Sequence, residues 1–118
     1  FFMSDKIALY ERVIQVSKKW KNSERIMYVV GATKADYLKK IRKIVPDSFL
    51  LIPGVGAQGG SLRDVVSAGM NKQCGLIVNS SRQILYANGG LSFDVSAREE
   101  ARKLQKIMEQ ELINKGII

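Results

Sequence analysis

Short, continuous apolar runs recur along the chain, at positions 26–32, 48–52 and 75–79, where the sequence reads IMYVVGA, SFLLI and GLIVN. Unbroken apolar runs of this length are typical of strands that are buried on both faces of a parallel sheet. The predicted strands begin near positions 27, 49 and 75, so that successive starts are 22 and 26 residues apart. A repeat of this size leaves room for one helix after each strand.

The segments around these runs carry apolar residues at helical spacing, which predicts four helices. The first extends from about Asp5 to Trp20, and Pro46 ends the second. Helix starts are expected at Ser4, Thr33, Ser61 and Asp94 or Ser96, because such side chains can cap a first turn. The residues predicted to face inward are Tyr10, Val13, Ile14 and Ser17; Leu38, Ile41 and Val45; Leu62, Val65 and Val66; and Leu104, Ile107, Met108 and Leu112.

The resulting order is α-β-α-β-α-β-α, an α/β fold in which right-handed crossovers make the strands parallel. A TIM (β/α)8 barrel uses about 250 residues for eight such units. A small open sheet, complete in itself, would leave two parallel edge strands uncovered. We therefore expect residues 1–118 to be one segment that supplies about three βα units of a larger barrel.

The chain is basic: its 118 residues include 19 Lys and Arg against 11 Asp and Glu, a formal net charge of +8. Such a balance can attract polyanions. The basic residues are scattered over helical segments, however, as on solvated faces, and Arg42 is one of them. No aromatic residue is interleaved with them as in single-strand binders, so we expect no nucleic-acid partner.

Several classes of chemistry are disfavoured by composition. The chain has one cysteine, Cys74, and no histidine, which removes an intrachain disulfide and Ser-His or Cys-His pairs. A metal site is not expected without histidine. Cys74 is predicted to be a buried small apolar residue, and no apolar run is long enough to span a membrane. These observations favour a cytoplasmic protein.

Polar and glycine-rich stretches follow the predicted strands, reading GATK, PGVGAQGGS and NSSR. Ligands bind beyond the carboxyl ends of the strands in such folds. Freed backbone N–H groups in the glycine loop and the forked guanidinium of Arg82, beside Ser80 and Ser81, suit a phosphate group. The amide of Gln58 can donate to a phosphate oxygen while it accepts from a ribose hydroxyl.

Each of these features has a plain structural alternative. The glycines can form a tight turn, Gln58 can be a solvated loop residue, and Arg82 can join a surface ion pair. Lys34 and Asp36 fit the first turn of a helix better than an acid–base role. No pair of carboxylates follows the strands, so we expect no catalytic residue in this segment.

The stretches PGVGAQGG and NSSRQILYA, about twenty residues apart, resemble the carboxyl-terminal portion of orotidine 5′-monophosphate decarboxylases of the longer bacterial branch. The stretches MYVVGATK and IRKIVPDSF resemble the preceding βα unit, and the likeness covers positions 26–87. The resemblance implies a (β/α)8 barrel that acts as a homodimer without metal or organic cofactor. It also implies decarboxylation of orotidine monophosphate to uridine monophosphate in pyrimidine biosynthesis.

By motif, the resemblance implies that Gln58 contacts the phosphoribosyl group and that Arg82 binds the 5′-phosphate with the N–H of Ser81. Pro53 and Val55 would line the pocket near the pyrimidine. One departure is Ser81, where many members of the family have glycine before the arginine.

The family's catalytic D-x-K-x-x-D motif does not occur in this sequence. We expect it in amino-terminal strands outside this chain, and this segment alone to be inactive. Two alternatives remain open at this stage: another phosphosugar-binding barrel enzyme, such as an isomerase, epimerase or synthase, and a basic module that binds RNA or acidic proteins.

Overall fold

A computed structural model describes residues 7–31, 35–55 and 61–118 of the protein. Helices and strands alternate up to the last strand, which two helices follow, and a short 3₁₀ turn at Ser23–Arg25 precedes the first strand. The strands are β1 (Tyr28–Val29), β2 (Leu50–Ile52) and β3 (Leu76–Val78). The helices are α1 (Leu9–Ser17), α2 (Ala35–Ile44), α3 (Leu62–Gly69), α4 (Arg82–Leu85) and α5 (Phe93–Asn114).

The three strands form one parallel sheet in the order β1-β2-β3. Leu50 lies opposite Tyr28 on one side and Leu76 on the other. Bonding continues past the strand ends, since the Val30 N–H donates to the Leu51 carbonyl at 2.9 Å. The parallel α/β architecture predicted from the repeating strand and helix pattern is therefore confirmed.

The core lies on one face of this sheet, between the strands and the helices. Leu50 and Ile52 of β2 are fully buried there, as are Val65 and Val66 of α3. Helix α3 packs against both α2 and α5. A cluster of buried apolar residues from the strands and from α1, α2 and α3 fills the layer between them.

The opposite face of the sheet is open, so the prediction that the strands are buried on both faces is wrong for this chain. Val29, Leu51 and Ile77 lie opposite one another in register and form one cross-strand row, here called the open row. Val29 is 71% exposed and Ile77 is 46% exposed. Side chains alternate between the two faces of a strand, and in these three strands the helices cover only one of them.

Helix α1 begins at Leu9, and the predicted start near Asp5 lies outside the described residues. Ile14 and Ser17 are buried as predicted, and the Ser17 hydroxyl contacts the Tyr28 hydroxyl at 2.7 Å. Val13 is 56% exposed, so its predicted inward position is wrong. The buried side of α1 follows Ile14 and Ser17, which are three residues apart and share one side of the helix.

The ends of the later helices agree in part with the sequence. Ser61 caps α3 by accepting from the Asp64 N–H at 3.5 Å. Helix α5 begins at Phe93, slightly before the predicted start. Helix α4 was not predicted, since four residues are too few to show a helical repeat.

Arg42 does not lie on a solvated face, which corrects the prediction from its basic neighbours. Its guanidinium donates to backbone carbonyls at the ends of several elements: Gly69 at 2.7 Å, Val45 at 3.0 Å, Ser48 at 2.7 Å and Gly75 at 3.0 Å. Burial lowers the pKa of Arg42 from its usual value. The side chain joins α2, α3 and the starts of β2 and β3 at the amino edge of the sheet.

Cys74 is only half-buried, so its predicted full burial is wrong. It belongs to the turn between α3 and β3 and has a left-handed backbone, with φ of 74°. Gly75 follows with φ of 68°, and a Cβ atom at Gly75 would lie 2.4 Å from the Asn71 side chain. The turn therefore requires glycine at this position.

No helix in the described part of the chain has the length and apolar character that a membrane span requires.

Candidate functional site

The carboxyl ends of the three parallel strands lie along one edge of the sheet, here called the rim. Pro53 follows β2 directly, and Asn79 follows β3. The Asn79 N–H donates to the Ile52 carbonyl at 3.0 Å, so β2 and β3 stay paired up to the point where both segments leave the sheet. This geometry brings the segments that begin at Pro53 and at Asn79 together at the rim.

The segment after β2 turns sharply at the rim. Pro53 is half-buried, and Gly54 has a left-handed backbone with φ of 80°, which glycine adopts without strain. Val55 returns to the core, where it is 1% exposed. Val55 thus anchors the beginning of the glycine loop, and its predicted place in the pyrimidine pocket stays a prediction.

The segment after β3 turns into α4. The Leu85 N–H donates to the Ser81 carbonyl at 2.8 Å, which fixes the backbone of Ser81 at the start of that helix. The Ser81 side chain is exposed, and its hydroxyl accepts from the Asn79 side-chain amide at 3.4 Å. The Ser80 hydroxyl is buried and has no hydrogen-bond partner among the described residues.

The side chains of two predicted binding residues, Gln58 and Arg82, are not among those that the structure describes. Gln58 lies in 56–60, outside the described residues, and Arg82 is described only as the first residue of α4. The predicted convergence of the Gln58 amide and the Arg82 guanidinium on one oxyanion therefore stays a prediction.

The structure adds two polar residues that the sequence analysis did not select. Asn79 contacts Ser81, and its place directly after the run GLIV was the signal that could have identified it. Gln83 of α4 donates to the Glu100 carboxylate of α5 at 3.0 Å. The hydrogen bond from Lys103, and then that from Gln83, lower the pKa of Glu100. The second contact could not be read from the sequence, because the two residues are 17 positions apart.

A cavity of about 980 Å³ opens at the edge of β1, between α1 and α2. Its lining is mostly apolar and includes Tyr10, Val13, Tyr28 and Val29. The edge of β1 that lies away from β2 borders this cavity. We place the candidate site at the rim instead, because the rim carries the polar side chains of Asn79, Ser80 and Ser81.

Within the described ranges, no group of three or more His, Cys, Asp or Glu side chains is arranged to hold a metal ion.

No protein-family model matches the sequence. Curated relatives do. The chain is 61% identical over 102 residues to orotidine 5′-phosphate decarboxylase of Flavobacterium johnsoniae, an alignment that covers 86% of this chain and 37% of the relative. It is 57% identical over 110 residues to the protein of the same name from Porphyromonas gingivalis, covering 93% and 40%. The chain thus spans about two-fifths of the length of the curated relatives it matches.

Solved structures show the same likeness. UMP synthase of Leishmania donovani superposes with a TM-score of 0.73 at 30% identity, over 92% of this chain and 24% of the other. Orotidine monophosphate decarboxylase of the same organism gives a TM-score of 0.71 at 27% identity, over 92% and 41%. These likenesses and the one-sided parallel sheet confirm the prediction of a partial (β/α)8 barrel. By sequence and by fold, the chain is a segment that belongs to the orotidine 5′-phosphate decarboxylase family.

Proposed function

We propose that this chain is the carboxyl-terminal, phosphate-binding segment of an orotidine 5′-phosphate decarboxylase. The complete protein would convert orotidine monophosphate to uridine monophosphate and CO2 in pyrimidine biosynthesis. The observation that carries the proposal is the identity of 57–61% with relatives of that name over about nine-tenths of this chain. These names favour the decarboxylase over other phosphosugar barrel enzymes and over a nucleic-acid-binding module.

In the proposed site, Arg82 and the N–H of Ser81 bind the 5′-phosphate, and Gln58 contacts the phosphate and ribose. Pro53 and Val55 lie toward the pyrimidine. The meeting of the segments after β2 and β3 at the rim supports this assignment, as does the exposure of the Ser81 side chain. A guanidinium presents a fixed pair of donors that matches two phosphate oxygens, which a lysine cannot do.

The proposal divides the work between this segment and the rest of the protein. The catalytic charges would come from amino-terminal strands that carry a D-x-K-x-x-D motif, which this sequence lacks. The open row supports this division, since Val29, Leu51 and Ile77 present an apolar surface that further barrel strands would cover. Catalysis would then be electrostatic, with preorganised charges acting on the substrate and on the carbanion, without metal or organic cofactor.

We further propose that the complete enzyme is a cytoplasmic homodimer. The single cysteine suits a reducing compartment. The dimer is proposed from the family resemblance and is tested by the molecular mass of the full-length protein in solution.

The proposal is tested by steady-state kinetics of the full-length protein with orotidine monophosphate. For Arg82→Ala we expect kcat/KM to fall by about 100-fold or more, because two hydrogen bonds to a charged group are lost, each of roughly 1.5–3 kcal/mol. We expect KM to rise and kcat to fall, since binding energy at a remote phosphate also supports the chemical step.

Arg102→Ala is the matched control, because Arg102 is exposed on α5 and should leave both constants unchanged. A full-length protein that releases no CO2 from orotidine monophosphate would show that the proposed activity is wrong. Unchanged kinetics for Arg82→Ala would instead show that the activity stands and the phosphate site lies elsewhere.

A further inference from the structure

Asn79 has a fixed backbone at the rim. Its N–H donates to the Ile52 carbonyl at 3.0 Å, one residue beyond the end of β3. Ile52 lies opposite Val78 in the sheet. The next residues, Pro53 and Asn79, are therefore neighbours where the two segments leave the sheet. The position of the Asn79 Cα is therefore set by the sheet and not by the loop that follows.

The side chain of Asn79 falls on the open face of the sheet. Leu76 is buried against the helices, Ile77 is 46% exposed on the other face, and Val78 packs toward the core. The alternation of side chains along a strand places Asn79 on the same face as Ile77. Asn79 thus supplies a polar group at the carboxyl edge of an otherwise apolar row.

The amide of Asn79 has one partner in the described part of the chain, the hydroxyl of Ser81. Asn79 Nδ2 donates to Ser81 Oγ at 3.4 Å, a long hydrogen bond, while the Ser81 carbonyl is held by the Leu85 N–H. A hydroxyl has one proton to donate and two lone pairs that accept. When an amide N–H occupies one lone pair, the hydroxyl proton is directed away from it and remains available to another acceptor.

We propose that Asn79 is a positioning residue that orients the Ser81 hydroxyl toward the substrate phosphate. The inference rests on the proposed function of the rim. In this arrangement Asn79 occupies one lone pair of the Ser81 hydroxyl and leaves its proton to be donated to a phosphate oxygen. The Asn79–Ser81 bond shortens when phosphate draws on the hydroxyl, because donors and acceptors in a chain polarise one another.

The test is calorimetric binding of uridine monophosphate and of uridine to the full-length protein. For Asn79→Ala we expect a 3- to 10-fold loss of affinity for uridine monophosphate and no change for uridine, which has no phosphate. Asn79→Asp should lose more than 10-fold, since a carboxylate would accept the hydroxyl proton of Ser81 and repel the phosphate.

Ser81→Gly supplies the decisive background. If Asn79 acts through the Ser81 hydroxyl, Asn79→Ala has no further effect in the Ser81→Gly protein, and the two changes are not additive. Asn79→Ser is the second variant in case Asn79→Ala does not fold, with the same expected direction. Asn114→Ala is the matched control, since Asn114 is an exposed asparagine near the end of α5.

Two results would overturn the inference while the proposed function stands: an equal loss of affinity for both ligands, or the same loss with and without Ser81. A wild-type protein that binds no uridine monophosphate would overturn the proposed function itself and this inference with it. The binding of wild type therefore separates the two failures.

Discussion

At the scale of single residues, Arg42 contributes more to the fold than its surface-like sequence context indicates. Its guanidinium binds four backbone carbonyls at distances of 2.7–3.0 Å, and a fifth, that of Pro46, at 3.4 Å. These carbonyls lie between Val45, directly after α2, and Gly75, directly before β3. Those carbonyls lie where helices end and strands begin, so they have no partner within a helix. The planar group with five donors can satisfy several of them at once.

We expect Arg42→Ala to lower the free energy of unfolding of the full-length protein by about 2–3 kcal/mol. This is about the stabilisation from one hydrogen bond to a charged group, because the other carbonyls can take new partners after the guanidinium is removed. Arg42→Lys should recover less than half of this loss, because an ammonium cannot reach all four carbonyls. Urea unfolding measures the difference. Lys39→Ala, an exposed change on the same helix, should stay within about 0.5 kcal/mol. Equal effects of the alanine variants at 42 and 39 would contradict the structural role.

At the scale of elements, α4 depends on α5. Four residues cannot form a stable helix by themselves. Helix α4 packs on α5, and the bond from Gln83 to Glu100 links the two. Glu100 also accepts from Lys103 at 2.7 Å, three residues further along α5. The ionised form of Glu100 therefore holds the helix that begins with Arg82.

The lowered pKa of Glu100 gives this link a pH dependence. Because the folded value lies below the unfolded value of about 4.3, the ionised carboxylate stabilises the fold above pH 4.3. This contribution is lost as the pH falls through the folded value. Urea unfolding of the full-length protein should show Glu100→Gln to be less stable than wild type at pH 7, with a difference that shrinks as the pH falls toward 3.

Glu109→Gln, an exposed change on the same helix, removes the same charge without this contact and serves as the control for net charge. A stability difference between wild type and Glu100→Gln that does not shrink toward pH 3 would exclude the charged link between α4 and α5.

At the scale of the whole molecule, helices cover one face of the sheet and leave the other face exposed. The helix-covered face carries the fully buried Leu50 and Ile52. The open row carries side chains of the same apolar kind that remain partly in water. In a barrel, the inward face of every strand is packed by the other strands. The open row therefore corresponds to the inward face of three barrel strands, exposed because the other strands are not part of this chain.

We expect Ile77→Gln to destabilise the full-length protein by about 2–4 kcal/mol, since the amide would be buried without a partner and apolar packing would be lost. Ile113→Gln is the matched control. Ile113 is 50% exposed, close to the 46% of Ile77, but it lies in the outer helix α5. We expect it to change the free energy of unfolding by less than about 1 kcal/mol. Equally small effects would mean that no further strands cover the open row.

Much of the fold could be predicted because strand and helix periodicities are local. The three strands and the inward residues Leu38, Val65 and Leu104 follow from spacing alone. The sequence-based predictions were wrong or incomplete where packing against residues distant in sequence determines burial or helix formation. Val13 fits an apolar stripe but lies on the exposed side of α1, and α4 exists through its packing on α5. The candidate site followed the same division, since its motifs were local but the contact of Asn79 with Ser81 depends on the turn at the rim.

The sequence by itself determined the alternation of strands and helices, the parallel pairing that this order requires, and the polar segments at the strand ends. Only the tertiary structure decided which face of each strand is covered, that Arg42 binds backbone carbonyls, and that Asn79 and Pro53 meet at one edge. The physical reason is the difference between interactions that are local in sequence and interactions between distant segments. Local spacing sets which conformation a segment prefers, whereas burial and hydrogen bonding between segments depend on what the chain brings together after it folds.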